Sequence, residues 1–493
     1  MVLKKFLAVD LGASSGRLVQ GVFNGTDLQL SEVHRFKNES VNINNGLYWD
    51  IIYLIREIKK GIKIASDDNI KVESISVDTW GVDFGYLDHN GDLISNPHCY
   101  RDDRTLKYSD NLYSKIDKKE LYSITGVKPA NINTINQIFS DINEKPYLKN
   151  IVKNVLFMPD LINYLLSGNL SNEFTISSTS GLMDIKNKTW AQDIFEKLEI
   201  PIEWFLPVQT NGSLIGKLNQ SIVEELNIES FSVISGASHD TAAAVLAIPY
   251  EQENNSAFIS NGTWSLIGVE SISPVVSKEA YEANITNEGC FSGNYRILKN
   301  TTGMWIIQEL QREWRLKGED VSFEQMVQLA STVSNCTSFI NPNFESFITP
   351  DNMENKIIEY LKKTKQRLPK KKAEIIRCVY ESLAFSYRQT IEQLETLTNM
   401  NIDNIHMVGG GTKNKLLCQL TADLTGKKVI AGPIEASALG NILSQMLVLN
   451  EIKPDDIVEI VKKTEKTITY YPQQTTDIES RYLYFKEIMR VGV

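Results

Sequence analysis

Two short stretches carry residue types from which a phosphoryl-transfer site can be built. The first is Asp10-Leu11-Gly12-Ala13-Ser14-Ser15-Gly16-Arg17. Small residues let a backbone turn tightly with its N–H groups and hydroxyls facing outward. Several donors, the fixed cation of Arg17 and the Asp10 carboxylate, suited to holding Mg²⁺ through water, would together cradle a phosphate. A tight hairpin with a solvent-facing Asp10 and Arg17 is the plainer alternative. The second stretch is Gly236-Ala237-Ser238-His239-Asp240-Thr241. Asp240 falls where a strand gives way to an Ala-rich helix, so the helix end favours its charge and its small neighbours leave room for a ligand. An N-cap aspartate is the commoner meaning of that pattern.

A third stretch, Gly409-Gly410-Gly411-Thr412-Lys413-Asn414, opens a helix after a strand, and its glycines permit a flat ligand to approach the backbone. It is neither a Walker A loop nor a GxGxxG turn, because the spacing fits neither.

The elements around these loops set the architecture. Phe6–Val9 reads as a buried strand ending at Asp10, and Leu18–Phe23 as the returning strand. Asp50 is expected to cap a helix carrying Ile51, Ile52, Leu54, Ile55, Ile58 and Ile62. Val72–Asp78 is a second buried strand that delivers Thr79-Trp80-Gly81 to a sheet edge, where α/β proteins bind ligands. Residues 86–93 read as a hairpin turning at Asn90-Gly91. Arg101-Asp102-Asp103-Arg104 reads either as an exposed salt-bridged loop or as a polar rim for a hydrophilic substrate. Phe174–Met183, rich in Ser and Thr, caps a helix or faces a cleft. Ala257–Val269 repeats the pattern of strand, small polar turn (Asn261-Gly262-Thr263) and strand. Two such units, each beginning one half of the chain, suggest a duplicated architecture. Ile248–Asn255 is the expected linker, and the small-residue helix after Glu435 is expected to pack under the three glycines.

A chain of 493 residues is long for a single core, so two domains are expected. The net charge of −10 argues against a nucleic-acid or anionic-membrane partner. Five scattered cysteines and five scattered histidines show no zinc spacing, and the cysteines suit a reduced, cytoplasmic compartment. No apolar run approaches the ~18–20 residues that span a bilayer.

Taken together, the segments AVDLGASSGR (8–17), VDTWGVDFGYLD (77–88), YRDDRT (100–105), ASHDTAAAV (237–245), SNGTWSLIG (260–268), ANITNEG (283–289), YRILKN (295–300), VGGGTKNKLLCQLTAD (408–423) and AGPIEASALGNI (431–442) resemble the FGGY family of carbohydrate kinases over nearly the whole chain. The resemblance implies an α/β fold of two ribonuclease-H-like domains of the actin/hexokinase type with an interdomain cleft. Their expected extents are 1–247 for the sugar and 248–493 for the nucleotide, with the extreme C-terminal helices returning to the first. It implies ATP and Mg²⁺ as cofactors and transfer of the γ-phosphoryl to the 1-hydroxyl of L-rhamnulose, by a monomer or homodimer. By motif, Asp10 would sit near the metal, and Ala13, Ser14, Ser15, Gly16, Arg17, Thr263, Gln308 and Gly411 would contact the nucleotide. Gly81, His239, Asp240, Thr241 and Asn300 would line the sugar, with Asp240 as catalytic base. Two positions depart from the family pattern: Ile132 stands before Asn133-Thr134 where an aromatic residue is usual, and Asn261 stands where Ser is common. A kinase for L-fuculose, xylulose or glycerol, and an ATP-binding switch of the actin or chaperone kind, are the alternatives. Asp240 between His239 and Thr241 argues against the switch.

Overall fold

The computed structural model describes residues 3–250, 255–334, 336–473 and 477–490, so residues 251–254 of the expected linker lie outside it. The chain forms two compact units, each drawn from three segments. The first comprises Met1–Pro249, Glu270–Ile297 and Ala436–Thr464; the second comprises Tyr250–Val269, Leu298–Glu435 and Glu465–Val493. A single cut after residue 247 does not describe this division. The final helix, Ile478–Arg490, falls in the second unit, and the segment that returns to the first is Ala436–Thr464.

The first unit is built on a six-stranded sheet in the order Ser213–Lys217, Ser232–Ser235, Val72–Thr79, Lys4–Leu11, Ser15–Phe23, Leu28–Lys37. Phe6 to Leu11 are buried along their whole length, as expected of a central strand covered on both faces. Lys4–Leu11 runs antiparallel to Ser15–Phe23 and parallel to Val72–Thr79, which in turn runs parallel to Ser232–Ser235. This register sets Asp10 opposite Arg17 on one side and opposite Asp78 on the other. Asp50 caps the helix Ile51–Ala65 by accepting from the Tyr53 amide at 3.0 Å. That helix lays Ile51, Leu54, Ile58 and Ile62 into one core with Leu7, Val9, Ile75 and Val77, each fully buried side chain contributing roughly 1.5–3 kcal/mol.

The second unit repeats the plan. Ser256–Asn261 pairs antiparallel with Trp264–Ser271 and parallel with Asn404–Val408, which runs parallel to Lys428–Ala431. The short strand Ile468–Tyr470 extends that edge in the antiparallel sense. The duplicated pattern read from the two hairpins is therefore a duplicated topology. All five cysteines are buried free thiols, and among the described residues no helix is long and apolar enough to cross a membrane.

The helix Ala436–Val448 belongs to the first unit, where it packs on the short helix Asp240–Leu246. Gly440 serves that contact. A Cβ on Gly440 would stand 1.7 Å from the Ala243 carbonyl oxygen. In an exposed helix Gly→Ala stabilises by about 0.5–1 kcal/mol. At this position Gly440→Ala is expected instead to destabilise by about 1–3 kcal/mol or more. Urea denaturation checks the sign, and a variant as stable as the parent refutes the tight packing.

Candidate active site

Asp10 ends its strand with its Oδ2 already engaged. Arg17 donates to it from Nη2 at 2.7 Å and from Nε at 3.0 Å, and the Ser437 hydroxyl donates at 2.7 Å. Arg17 is thus held as an ion pair across the hairpin and does not stand out in solvent. The turn between the strands is tied down by Asn38, whose side chain donates to the Gly12 carbonyl at 2.8 Å and whose amide donates to the Ser14 carbonyl at 3.2 Å. Ser14 is exposed, while Gly12, Ala13, Ser15 and Arg17 are half-buried. Gly16 is buried for a packing reason: a Cβ there would meet the Phe36 ring at 2.4 Å.

Asp78, the cross-strand neighbour of Asp10, is a site residue that the motif reading missed. It is fully buried, and Asn441 Nδ2 donates to its Oδ2 at 2.7 Å. Burial first, and then the charge of Asp10, push its carboxyl well above the usual carboxylate range. The signal was available in VDTWG, an acid inside an otherwise apolar central strand.

His239 occupies the N-cap position of the short helix, so Asp240 is its first helical residue and not its cap. The Asp240 side chain remains 34% exposed. Its pKa is pushed up to about 7, by the surrounding protein above all and next by the Asp10 charge, against the Thr241 hydrogen bonds that favour the ion. The Thr241 hydroxyl lies 3.1 Å from Asp240 Oδ1. His239 Nε2 lies 3.5 Å from the same oxygen, and its Nδ1 lies 3.0 Å from Arg296 Nη2. Burial and then Arg296 drive the imidazole pKa well below its ordinary value. Gly81 leaves space in front of this ring, since a Cβ there would stand 3.3 Å from His239 Nε2 and 3.2 Å from the Thr179 hydroxyl.

Two buried networks fix the loops on either side. Val82 adopts a left-handed φ of 71°, a conformation strained for a β-branched residue. It is held there by its amide to Thr179 Oγ1 at 3.2 Å and by Thr134 Oγ1 to its carbonyl at 2.6 Å. Asp83 Oδ2 accepts from the indoles of Trp49 at 2.6 Å and Trp80 at 2.9 Å. Gln137 bridges Asp83 to Arg104, which also pairs with Asp141 at 2.8 Å. Arg104 and Asp102 are therefore inward-facing, and only Arg101 and Asp103 of that tetrad are exposed. Residues 86–93 turn back on themselves as expected, with the Ile94 amide donating to the Tyr86 carbonyl at 3.0 Å and the Asp88 amide to the Asp92 carbonyl at 2.9 Å, while Phe84–Leu87 also pairs with Asn154–Phe157. The Ser/Thr-rich segment from Phe174 is buried throughout, and the Thr175 hydroxyl accepts the His239 amide at 3.0 Å.

Thr263, Gln308, Gly411 and Asn300 fall in the second unit. Thr263 is exposed at the hairpin turn, and its hydroxyl donates to Gln308 Oε1 at 3.2 Å. The amides of Gly303, Met304 and Trp305 hold the Thr263 and Gly262 carbonyls. Asn300 is exposed on its strand. The three glycines have separate reasons. Gly409 takes φ 85°. Gly411 is pressed on Asn261, where a Cβ would stand 2.5 Å from Cγ. Gly410 alone is open, with nothing within 4 Å of its Cβ position. Asn261, the departure from the usual Ser, is buried and accepts from Ser265 at 3.1 Å.

The model for the N-terminal domain of the FGGY family of carbohydrate kinases matches residues 5–247, and that for the C-terminal domain matches residues 257–449. A rhamnulokinase of Oceanobacillus iheyensis is 41% identical over 94% of this chain and 97% of its own length. One from Bacteroides thetaiotaomicron is 36% identical over 99% and 100%, and one from Bacillus subtilis is 37% identical over 91% of each. Among solved structures, the fold is shared with a ligand-bound xylulose kinase of Lactobacillus acidophilus (TM-score 0.80, 16% identity, 99% and 96% covered). It is shared also with Plasmodium falciparum glycerol kinase with ADP (TM-score 0.81, 14% identity, 100% and 99% covered).

The raised carboxyl of Asp240 has a thermodynamic signature. Between the ordinary carboxylate range and about pH 7 the folded chain keeps a proton that the unfolded chain has released, so this group lowers stability as pH rises through that window. Asp240→Asn removes the penalty. Its melting temperature is expected to exceed the parent's at about pH 8, with the gap narrowing toward about pH 5. A gap independent of pH refutes the raised carboxyl.

Proposed function

The chain belongs to the FGGY family of carbohydrate kinases, and we propose that it transfers the γ-phosphoryl group of ATP to the 1-hydroxyl of L-rhamnulose, giving L-rhamnulose 1-phosphate and ADP in rhamnose catabolism. The observation that carries this reading is the half-open carboxyl of Asp240, poised at about 7 beside His239. A sugar hydroxyl is a weak nucleophile at neutral pH. Asp240 accepts its proton as the hydroxyl oxygen bonds to phosphorus and the bond to the ADP oxygen breaks. A base whose proton affinity lies near the working pH combines availability with driving force.

In this reading Gly81, His239 and Thr241 line the sugar, and the turn Ala13–Arg17 donates to the nucleotide phosphates. Positioning and neutralisation of charge supply most of the acceleration. Asp10, whose charge raises the proton affinity of Asp78 and Asp240, is a hard oxygen donor matched to a divalent cation. Asp10 would hold Mg²⁺, which supplies neutralisation of phosphate charge when bound.

ADP release coupled to a reporter enzyme, with L-rhamnulose set against L-fuculose, xylulose and glycerol, tests the substrate. Turnover of another acceptor in preference to L-rhamnulose overturns the assignment. Asp240→Asn is expected to lower kcat by about 10²–10⁴ while ATP binding persists. The parent's kcat/KM for sugar is expected to rise with pH to a plateau above about 7. Unchanged turnover in the variant removes Asp240 as the base.

A further inference from the structure

We propose that Arg296 is a positioning residue that holds His239 as a neutral ring with Nδ1 bare and the proton on Nε2, so that His239 serves the site as a donor beside Asp240 and not as a second base. Arg296 is fully enclosed, and its Nη2 lies 3.0 Å from His239 Nδ1. A guanidinium can only donate, so Nδ1 must be the acceptor; a proton on Nδ1 would face an N–H head-on. The same Nη2 reaches Glu288 Oε2 at 3.1 Å, which balances the buried cation. Glu288 Oε2 stands farther from the ring, 3.4 Å from Nδ1.

The backbone that carries the ring is held as well: its amide donates to Thr175 Oγ1 at 3.0 Å, and that hydroxyl donates in turn to Glu173 at 2.5 Å. A charged imidazolium would set a second cation against the enclosed guanidinium. Nε2 therefore carries the single N–H and presents it to Asp240 Oδ1, 3.5 Å away, and to the space left by the missing side chain of Gly81. An N–H fixed there can donate to a sugar oxygen or to the Asp240 carboxylate, and it has no free lone pair with which to take a proton. This last consequence rests on the sugar-kinase reading; the tautomer does not.

The tautomer is read directly by ¹⁵N NMR of the full chain labelled at its five histidines, with the His239 signals identified by their loss in His239→Asn. Protonated Nε2 and bare Nδ1 in the parent support the proposal; an Nδ1-protonated ring or an imidazolium overturns it. In Arg296→Met, Glu288 loses its cation, and the ring proton is expected to move to Nδ1 toward Glu288. The kcat/KM for sugar is then expected to fall about 10–100-fold, the usual scale for loss of an orienting partner, while the KM for ATP stays at the parent value. A merely structural Arg296 would lower the melting temperature and leave both the tautomer and the sugar KM unmoved. Should Arg296→Met fail to fold, the parent spectrum still decides. A parent with the expected tautomer that phosphorylates no ketose leaves this assignment standing and removes the sugar-kinase reading.

Discussion

Two carboxylates of the first unit, Asp10 and Asp78, are held in place by one helix from the far end of the chain. On successive turns of Ala436–Val448, Ser437 bonds Asp10 at 2.7 Å, Asn441 bonds Asp78 at 2.7 Å, and Gln445 bonds the Leu7 carbonyl at 2.9 Å. Ser444 accepts the Ala237 amide at 3.2 Å, just before His239 and Asp240. The stripe follows from the helical repeat, which brings residues four apart onto one face. It is polar because the strands it covers present polar groups that burial would otherwise leave unsatisfied. Gly440 sits in the same face and lets the two helix backbones meet. Strand ends, helix start and the covering helix therefore form one unit, and displacement of any part moves the acids.

That arrangement sets the electrostatics. Asp78 has no water to stabilise its charge and lies across from Asp10, so it resists ionisation. Asp10 keeps Arg17 close. Asp240, desolvated by the surrounding protein and repelled by Asp10, has its carboxyl pushed up to about 7. The site stores unfavourable charge that a more stable protein would discard, as expected where function and stability compete. Holding it requires rigid surroundings, and the buried hub of Asp83, Trp49, Trp80, Gln137 and Arg104 supplies them next to Gly81.

Much of this was legible before any coordinates. The two hairpins, the parallel strands after them and the Asp50 cap follow from alternation, apolar runs and turn residues, all local properties. The structure sets Asp10 and Arg17 opposite each other in paired strands, Gly81 in a turn, and His239 and Asp240 at the start of a helix. Packing was not legible at the glycines: a side chain at Gly16 would meet Phe36, and one at Gly411 would meet Asn261. The tetrad 101–104 looked like a surface, but two of its four members turn inward to partners more than thirty residues away in sequence.

Local sequence was enough for the kind of chemistry, because a strand that ends in Asp before a small-residue turn, and an Asp entering an Ala-rich helix, each carry their meaning within ten residues. Which acid would titrate near neutrality was not contained in those ten residues. It depends on desolvation and on the distance between charges from positions 10, 78 and 240, and these sum over contacts that only folding creates. The same holds for Ser437, Asn441, Glu288 and Arg296. As residue types they are ordinary; they matter because folding sets Ser437 and Asn441 against acids hundreds of positions away, and Arg296 against a histidine 57 positions away.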